Sequence, residues 1–188
     1  MKTVILCGGY GTRIRDVNED IPKPMLPIGR LPILWHLMKY YSSYGHNDFV
    51  LCLGHKGQVI KDFFLNYQAH TQDCTVELGK PNEIQFHSSN DEKHWKVTLV
   101  DTGHDSMTGS RVSKVRKFVD DAPFFLTYGD GLSNVNLDSL LEFHQDHKKI
   151  DHGSYCCFRL SNTHGFNNDD IKASGFAGEH DFSGFSGN

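Results

Sequence analysis

Three glycines and two cations near the start of the chain have the types and spacing to handle phosphate. Gly8-Gly9-Tyr10-Gly11-Thr12-Arg13 follows the apolar run Val4-Ile5-Leu6-Cys7, and Ile21-Pro22-Lys23-Pro24-Met25 comes soon after. Glycines at 8, 9 and 11 let the backbone approach a ligand closely, and successive N–H groups in such a loop form a concavity suited to phosphate. Arg13 and Lys23 add fixed positive charge on either side of it. A Walker loop would end in Gly-Lys-Ser/Thr, and Gly11-Thr12-Arg13 does not. A dinucleotide loop would carry a third glycine at position 14 and an acid closing the second strand; here stand Ile14 and Leu53-Gly54-His55. The plain alternative is a strand-to-helix turn without a ligand.

Two more places could carry chemistry. Asp130 stands in Gly129-Asp130-Gly131, just after the apolar run 123–128. A carboxylate at the end of a parallel strand, with small neighbours, suits Mg²⁺ shared with substrate phosphates. Alone, Asp-Gly also fits a type I′ turn. Arg111 follows Asp105-Ser106-Met107-Thr108-Gly109-Ser110 at an expected helix start. A cation there opposes the helix dipole, so it is expected to serve an anion or a base. Otherwise it is a solvated surface arginine.

These residues need a scaffold. Residues 3–7 read as a first strand. Pro32 opens a helix in which Ile33, Leu34, Leu37, Met38, Tyr41 and Tyr44 recur at helical spacing, with Gly45 at its end. Residues 48–53 read as a second buried strand and Val59, Ile60, Phe63, Phe64 and Tyr67 as a second amphipathic helix. Strand, helix, strand, helix implies a right-handed crossover and a parallel sheet. Residues 74–78, 83–87 and 96–100 read as a more antiparallel excursion. Thr108 or Ser110 is expected to cap a helix reaching about Val119, with Val112, Val115, Phe118 and Val119 buried. Residues 123–128 form another strand, and Asp138 caps a helix with Leu140, Leu141 and His144 inward. Ser154 to Leu160 reads as one more strand. Residues 161–188, rich in Gly, Asn, Asp and Ser with isolated Phe, lack any period and are expected to be disordered.

The 188 residues are enough for one domain, with 38% apolar and 22% charged residues. A net charge of -4 supplies no basic field for nucleic acid or an anionic membrane surface. No apolar run approaches the ~20 residues of a membrane span, and the N-terminus does not read as a signal peptide. Five cysteines, an odd count, are expected to be free thiols in a reducing cytoplasm. The twelve histidines are scattered without zinc-ligand spacing and read as solvated or core residues.

Taken together the motifs resemble the sugar-1-phosphate nucleotidyltransferases. The resemblance is carried by Gly8-Gly9-x-Gly11-Thr12-Arg13, Pro22-Lys23-Pro24-Met25, Pro32-Ile33-Leu34-Trp35-His36, Thr98 to Gly103, Met107-Thr108-Gly109-x-Arg111 and Thr127 to Gly131. It runs in order from residue 1 to about 150. Within that family the pattern is most similar to the glucose-1-phosphate cytidylyltransferases. It implies a Rossmann-like, mostly parallel sheet flanked by helices over residues 1–160. It also implies transfer of a cytidylyl group from CTP to glucose 1-phosphate with Mg²⁺, in a homo-oligomer. Carried over residue by residue, Leu6, Cys7, Gly8, Gly9, Tyr10, Gly11, Thr12 and Arg13 would hold the nucleotide. Arg13 and Lys23 would act on its phosphates, Ser106, Thr108, Arg111 and Gly129 would contact it, and Asp130 would hold the metal.

The sequence departs from the family pattern at Tyr10 and Ser110, where leucine and glycine are common, and at His55, which replaces a tyrosine. The family's later Glu-Lys-Pro, Asn-Gly-Gly and second metal aspartate have no match here; Asp169 and Asp170 lack the context. The fold is accordingly expected to be incomplete at its C-terminus, and turnover by this chain to be weak or absent. The competing expectation is a non-catalytic CTP-binding or regulatory module.

Overall fold

A computed structural model describes residues 1–9, 20–80, 83–88, 91–119, 122–147 and 156–158. The expected loop residues Tyr10, Gly11, Thr12 and Arg13, and the expected disordered stretch 161–188, lie outside the described residues. In chain order the elements are β1 (Lys2–Leu6), a 3₁₀ turn (Lys23–Met25), β2 (Pro27–Ile28), β3 (Leu31–Pro32), α1 (Ile33–Ser43), β4 (Asp48–Leu53), α2 (Gly57–Leu65) and α3 (Tyr67–Thr71). They continue with β5 (Cys74–Val76), β6 (Ile84–Phe86), β7 (Lys96–Asp101), α4 (Thr108–Lys114), α5 (Arg116–Val119), β8 (Phe124–Tyr128), α6 (Leu137–His147) and β9 (Cys156–Phe158).

The core is a five-stranded sheet in the order β7-β4-β1-β8-β9, with every neighbouring pair parallel except β8–β9. Strand residues alternate between two cores, which explains why the apolar runs are continuous. Val4, Leu6, Val50, Cys52, Phe124 and Leu126 pack against Val112 of α4, Val119 of α5 and Val115 between the two helices. Ile5, Phe49, Leu51, Leu53 and Phe125 pack instead against Leu34, Leu37, Met38 and Tyr41 of α1, Ile60 of α2 and Leu137 of α6. The expected α/β class, a mostly parallel sheet between helices, is what the chain adopts. Among the described residues no helix is long and apolar enough to cross a membrane.

Four expectations are corrected. Residues 96–101 do not join the antiparallel excursion: only β5 and β6 pair that way, while β7 pairs parallel to β4 from Asp48↔Lys96 to Leu53↔Asp101. The helix expected to run to Val119 breaks at Val115, whose N–H reaches the Val112 carbonyl at 3.2 Å. Thr108 is its first residue rather than its cap, and Met107 is the N-cap. At α6 the Asn136 side chain, not Asp138, accepts the Ser139 N–H at 3.0 Å.

Candidate active site at the strand ends

The sheet order puts β4 on one side of β1 and β8 on the other, which makes the C-terminal end of β1 a topological switch point, where open α/β sheets bind ligands. Four strand ends converge there: Cys7-Gly8-Gly9 after β1, Gly54-His55 after β4, Thr102-Gly103-His104 after β7 and Gly129-Asp130 after β8. The loop stays in register with its neighbours. Cys7 N–H donates to the Cys52 carbonyl at 3.0 Å, and Gly129 N–H to the Leu6 carbonyl at 3.0 Å.

On the β8 side, Pro24 seats the Lys23 turn against Gly129. A Cβ on Gly129 would lie 2.8 Å from Cys7 Sγ and 3.1 Å from Pro24 Cγ, so only glycine lets these segments meet. Lys23 is thereby brought to the end of β8, where Asp130 is exposed. Asp130 is a hard oxygen donor able to share Mg²⁺ with phosphate oxygens. Among the described residues there is no group of three or more His, Cys, Asp or Glu that could hold a metal ion.

On the other side lies Arg111. Its residue is only 5% exposed, which overturns the surface-arginine alternative. Nη1 reaches the Leu53 carbonyl (3.0 Å), Thr102 Oγ1 (2.7 Å) and the Gly103 carbonyl (2.8 Å); Nη2 reaches the carbonyls of Gly8 (3.0 Å) and His104 (3.1 Å). A planar fork of donors suits such a cluster of acceptors. It ties together the ends of β1, β4 and β7. A Cβ would lie 2.2 Å from Nη1 at Gly8 and 2.4 Å at Gly54, so both glycines make room for the guanidinium. Ser106 donates to the Thr102 carbonyl at 2.5 Å and accepts from Lys114 Nζ at 2.7 Å. Thr108 begins α4 two residues further on.

The two thiols at these ends are poor nucleophiles. Burial first, then Cys52 and Asp130, push the Cys7 thiol well up against the opposing pull of Arg111. Burial pushes Cys52 up to about 12.

The structure thus gathers Leu6, Cys7, Gly8, Gly9, Lys23, Ser106, Arg111, Gly129 and Asp130 around the C-terminal ends of the strands. Sequence reasoning missed Gly54, Thr102 and Lys114. Gly54 carries a signal, a glycine closing a strand; Thr102 and Lys114 matter only through tertiary contacts. Among the described residues the arrangement offers close backbone approach, a cation and a carboxylate, which suits alignment and charge neutralisation of phosphate groups.

Comparison with known proteins agrees in fold and in motif. The family described as nucleotidyl transferase matches residues 2–166. The chain belongs to the nucleotidyl transferase family. Over 150 residues it is 47% identical to the glucose-1-phosphate cytidylyltransferase of Salmonella typhimurium, a match covering 79% of this chain and 58% of that protein. Over 145 residues it is 46% identical to the probable glucose-1-phosphate cytidylyltransferase of Bacillus subtilis, covering 77% and 56%. The chain therefore spans a little over half the length of these curated relatives. Among solved nucleotidyl transferase-like structures, HddC from Yersinia pseudotuberculosis complexed with GMP-PN superposes with a TM-score of 0.57 at 25% identity, covering 77% of this chain and 54% of that one. A UDP-glucose pyrophosphorylase complexed with UDP-glucose shares the fold at a TM-score of 0.56 and 18% identity, covering 78% and 54%.

Proposed function

We propose that the protein is a glucose-1-phosphate cytidylyltransferase, converting CTP and glucose 1-phosphate into CDP-glucose and pyrophosphate. The observation that carries this reading is the 46–47% identity to proteins of that name across the segment that builds the strand-end site. The geometry supports it. A phosphate oxygen of the sugar phosphate forms the new bond to the α-phosphorus of CTP, and the bond from that phosphorus to the bridging oxygen breaks, so that pyrophosphate leaves. No enzyme nucleophile is required, only alignment and neutralisation of charge.

In this reading Gly8, Gly9 and Gly11 bring backbone N–H groups to the nucleotide, with Leu6, Cys7, Tyr10 and Thr12 completing the loop. Arg13 and Lys23 hold the phosphates, and Lys23 offsets the negative charge gathering on the departing pyrophosphate. Ser106, Thr108 and Gly129 line the nucleotide. Arg111, spent on carbonyls, keeps the Gly8 end of the loop in place. Asp130 would hold Mg²⁺, which when bound supplies Lewis-acid stabilisation of the phosphate charge. A homo-oligomer in the cytoplasm belongs to the same reading.

The test is product analysis after incubation with glucose 1-phosphate, Mg²⁺ and each nucleoside triphosphate in turn. CDP-glucose formed from CTP, with little product from ATP, GTP or UTP, is expected. Binding of CTP with no CDP-glucose would favour a non-catalytic nucleotide-binding module instead.

A further inference from the structure

Three residues between the end of β7 and the end of α4 close a small hydrogen-bonded ring, across the strand ends from Lys23. The Ser106 hydroxyl donates to the Thr102 carbonyl at 2.5 Å. Lys114 Nζ donates to the same carbonyl at 2.8 Å and to Ser106 Oγ at 2.7 Å. The chemistry of these partners fixes which way the hydroxyl points. A carbonyl oxygen only accepts and an ammonium only donates, so the Ser106 hydrogen goes to Thr102 and one Ser106 lone pair takes a Lys114 N–H. What Ser106 Oγ keeps for a ligand is its second lone pair. It can accept from a ligand and cannot donate to one.

The ring stands on a fixed base. Thr102 is buried, its N–H and its hydroxyl donate to the Leu53 carbonyl at 3.0 and 2.6 Å, and the hydroxyl accepts from Arg111 Nη1 at 2.7 Å. Gly103 holds φ at +91°, and a Cβ there would lie 3.0 Å from Ser106 Oγ and 3.4 Å from Lys114 Nζ. Glycine therefore supplies both the turn and the room for the ring.

The position of the ring along the strand ends decides which part of a nucleotide it meets. In the order β7-β4-β1-β8 the ends of β7 and β8 are three strand spacings apart, about 14 Å. An extended nucleoside triphosphate covers that span. With its phosphates at Lys23 and Asp130 by β8, its nucleoside half extends toward Ser106 by β7. We propose that Lys114 is a positioning residue that makes Ser106 an acceptor-only contact, selecting for an N–H or O–H donor on the nucleoside half of the substrate. That donor is either the exocyclic amine of cytosine, which uracil replaces with an accepting carbonyl, or a ribose hydroxyl. The inference rests on the nucleotide-binding reading above and adds a source of its specificity.

Equilibrium titration of the full chain with the Mg²⁺ complexes of CTP, UTP, 2′-deoxy-CTP and 3′-deoxy-CTP tests it. Affinities are read as ratios to CTP within each variant, so that a general loss of affinity or stability cancels. In the wild type the analogue lacking the donor is expected to bind about tenfold more weakly than CTP. UTP in that place assigns the base amine, and a deoxy analogue assigns a ribose hydroxyl. Ser106→Ala removes the contact and should shrink the ratio to about threefold or less. Lys114→Met frees the hydroxyl to turn and donate, and should shrink it likewise, whereas Lys114→Arg keeps an N–H donor and should restore it. The wild-type ratio retained in Ser106→Ala or in Lys114→Met, or no analogue weaker than CTP, would overturn the proposal while CTP binding leaves the nucleotide reading standing. Failure of the wild type to bind any of the four removes that reading and the proposal with it.

Discussion

Lys23 and Asp130 are far apart in sequence and come to one strand end because Pro24 packs against Gly129. The sequence marks both as candidates, Lys23 as an amine between two prolines and Asp130 as a carboxylate between two glycines, but not that they share a strand end. Replacing Lys23 with alanine should weaken binding of Mg²⁺–CTP by about 2 kcal/mol, roughly thirtyfold, in an equilibrium titration. Arg111 is the contrasting case. Its cationic role was legible, but its target was not, because its acceptors come from the ends of three strands and two of them are glycine carbonyls. Replacing it with methionine should lower the unfolding free energy by about 3 kcal/mol in urea melts, since buried carbonyls lose their donor. A stability equal to wild type would show that these bonds contribute nothing net.

Elements decide whether those side chains meet. The strand from 48 to 53 and the helix after Pro32 were legible almost to the residue, because a buried parallel strand is a continuous apolar run and an amphipathic helix has a period. The placement of β7 was not. Its residues are half-buried at the sheet edge, and an edge strand carries no mark of whether its neighbour runs parallel. The crossover through α2 and α3 decides it. The close approach at Gly129 belongs to this scale as well. Gly129→Ala would force Cys7 or Pro24 to give way, shifting the Lys23 turn against β8. We expect an affinity loss for Mg²⁺–CTP comparable to that of Lys23→Ala, with circular dichroism unchanged. Wild-type affinity in that variant would mean the turn is not held there.

At the scale of the whole molecule the two-sided core sets how the fold responds to pH. His46 is 9% exposed, with its ring 4.8 Å from that of Phe125. Burial, then the N-terminal ammonium, holds its pKa below the ordinary histidine value. The unfolded chain therefore takes up the proton first as pH falls. The stability gained from keeping His46 neutral is full above about pH 6.5 and declines as pH drops through that value towards the folded pKa. Thermal melts at about pH 7.5 and about pH 5.5 should show this decline in the wild type and a smaller one in His46→Gln. An equal decline in both would assign it to other groups. The class of fold was visible in the alternation of strands and helices, whereas the convergence of four strand ends on one loop follows only from the sheet order.

The nucleotide site proposed for the glycine loop is tested most directly by calorimetric titration of CTP with Mg²⁺ into the wild-type and Lys23→Ala chains. The expected result is saturable binding that is roughly thirtyfold weaker in the variant. No binding to the wild type, or equal affinity in the two chains, would contradict it.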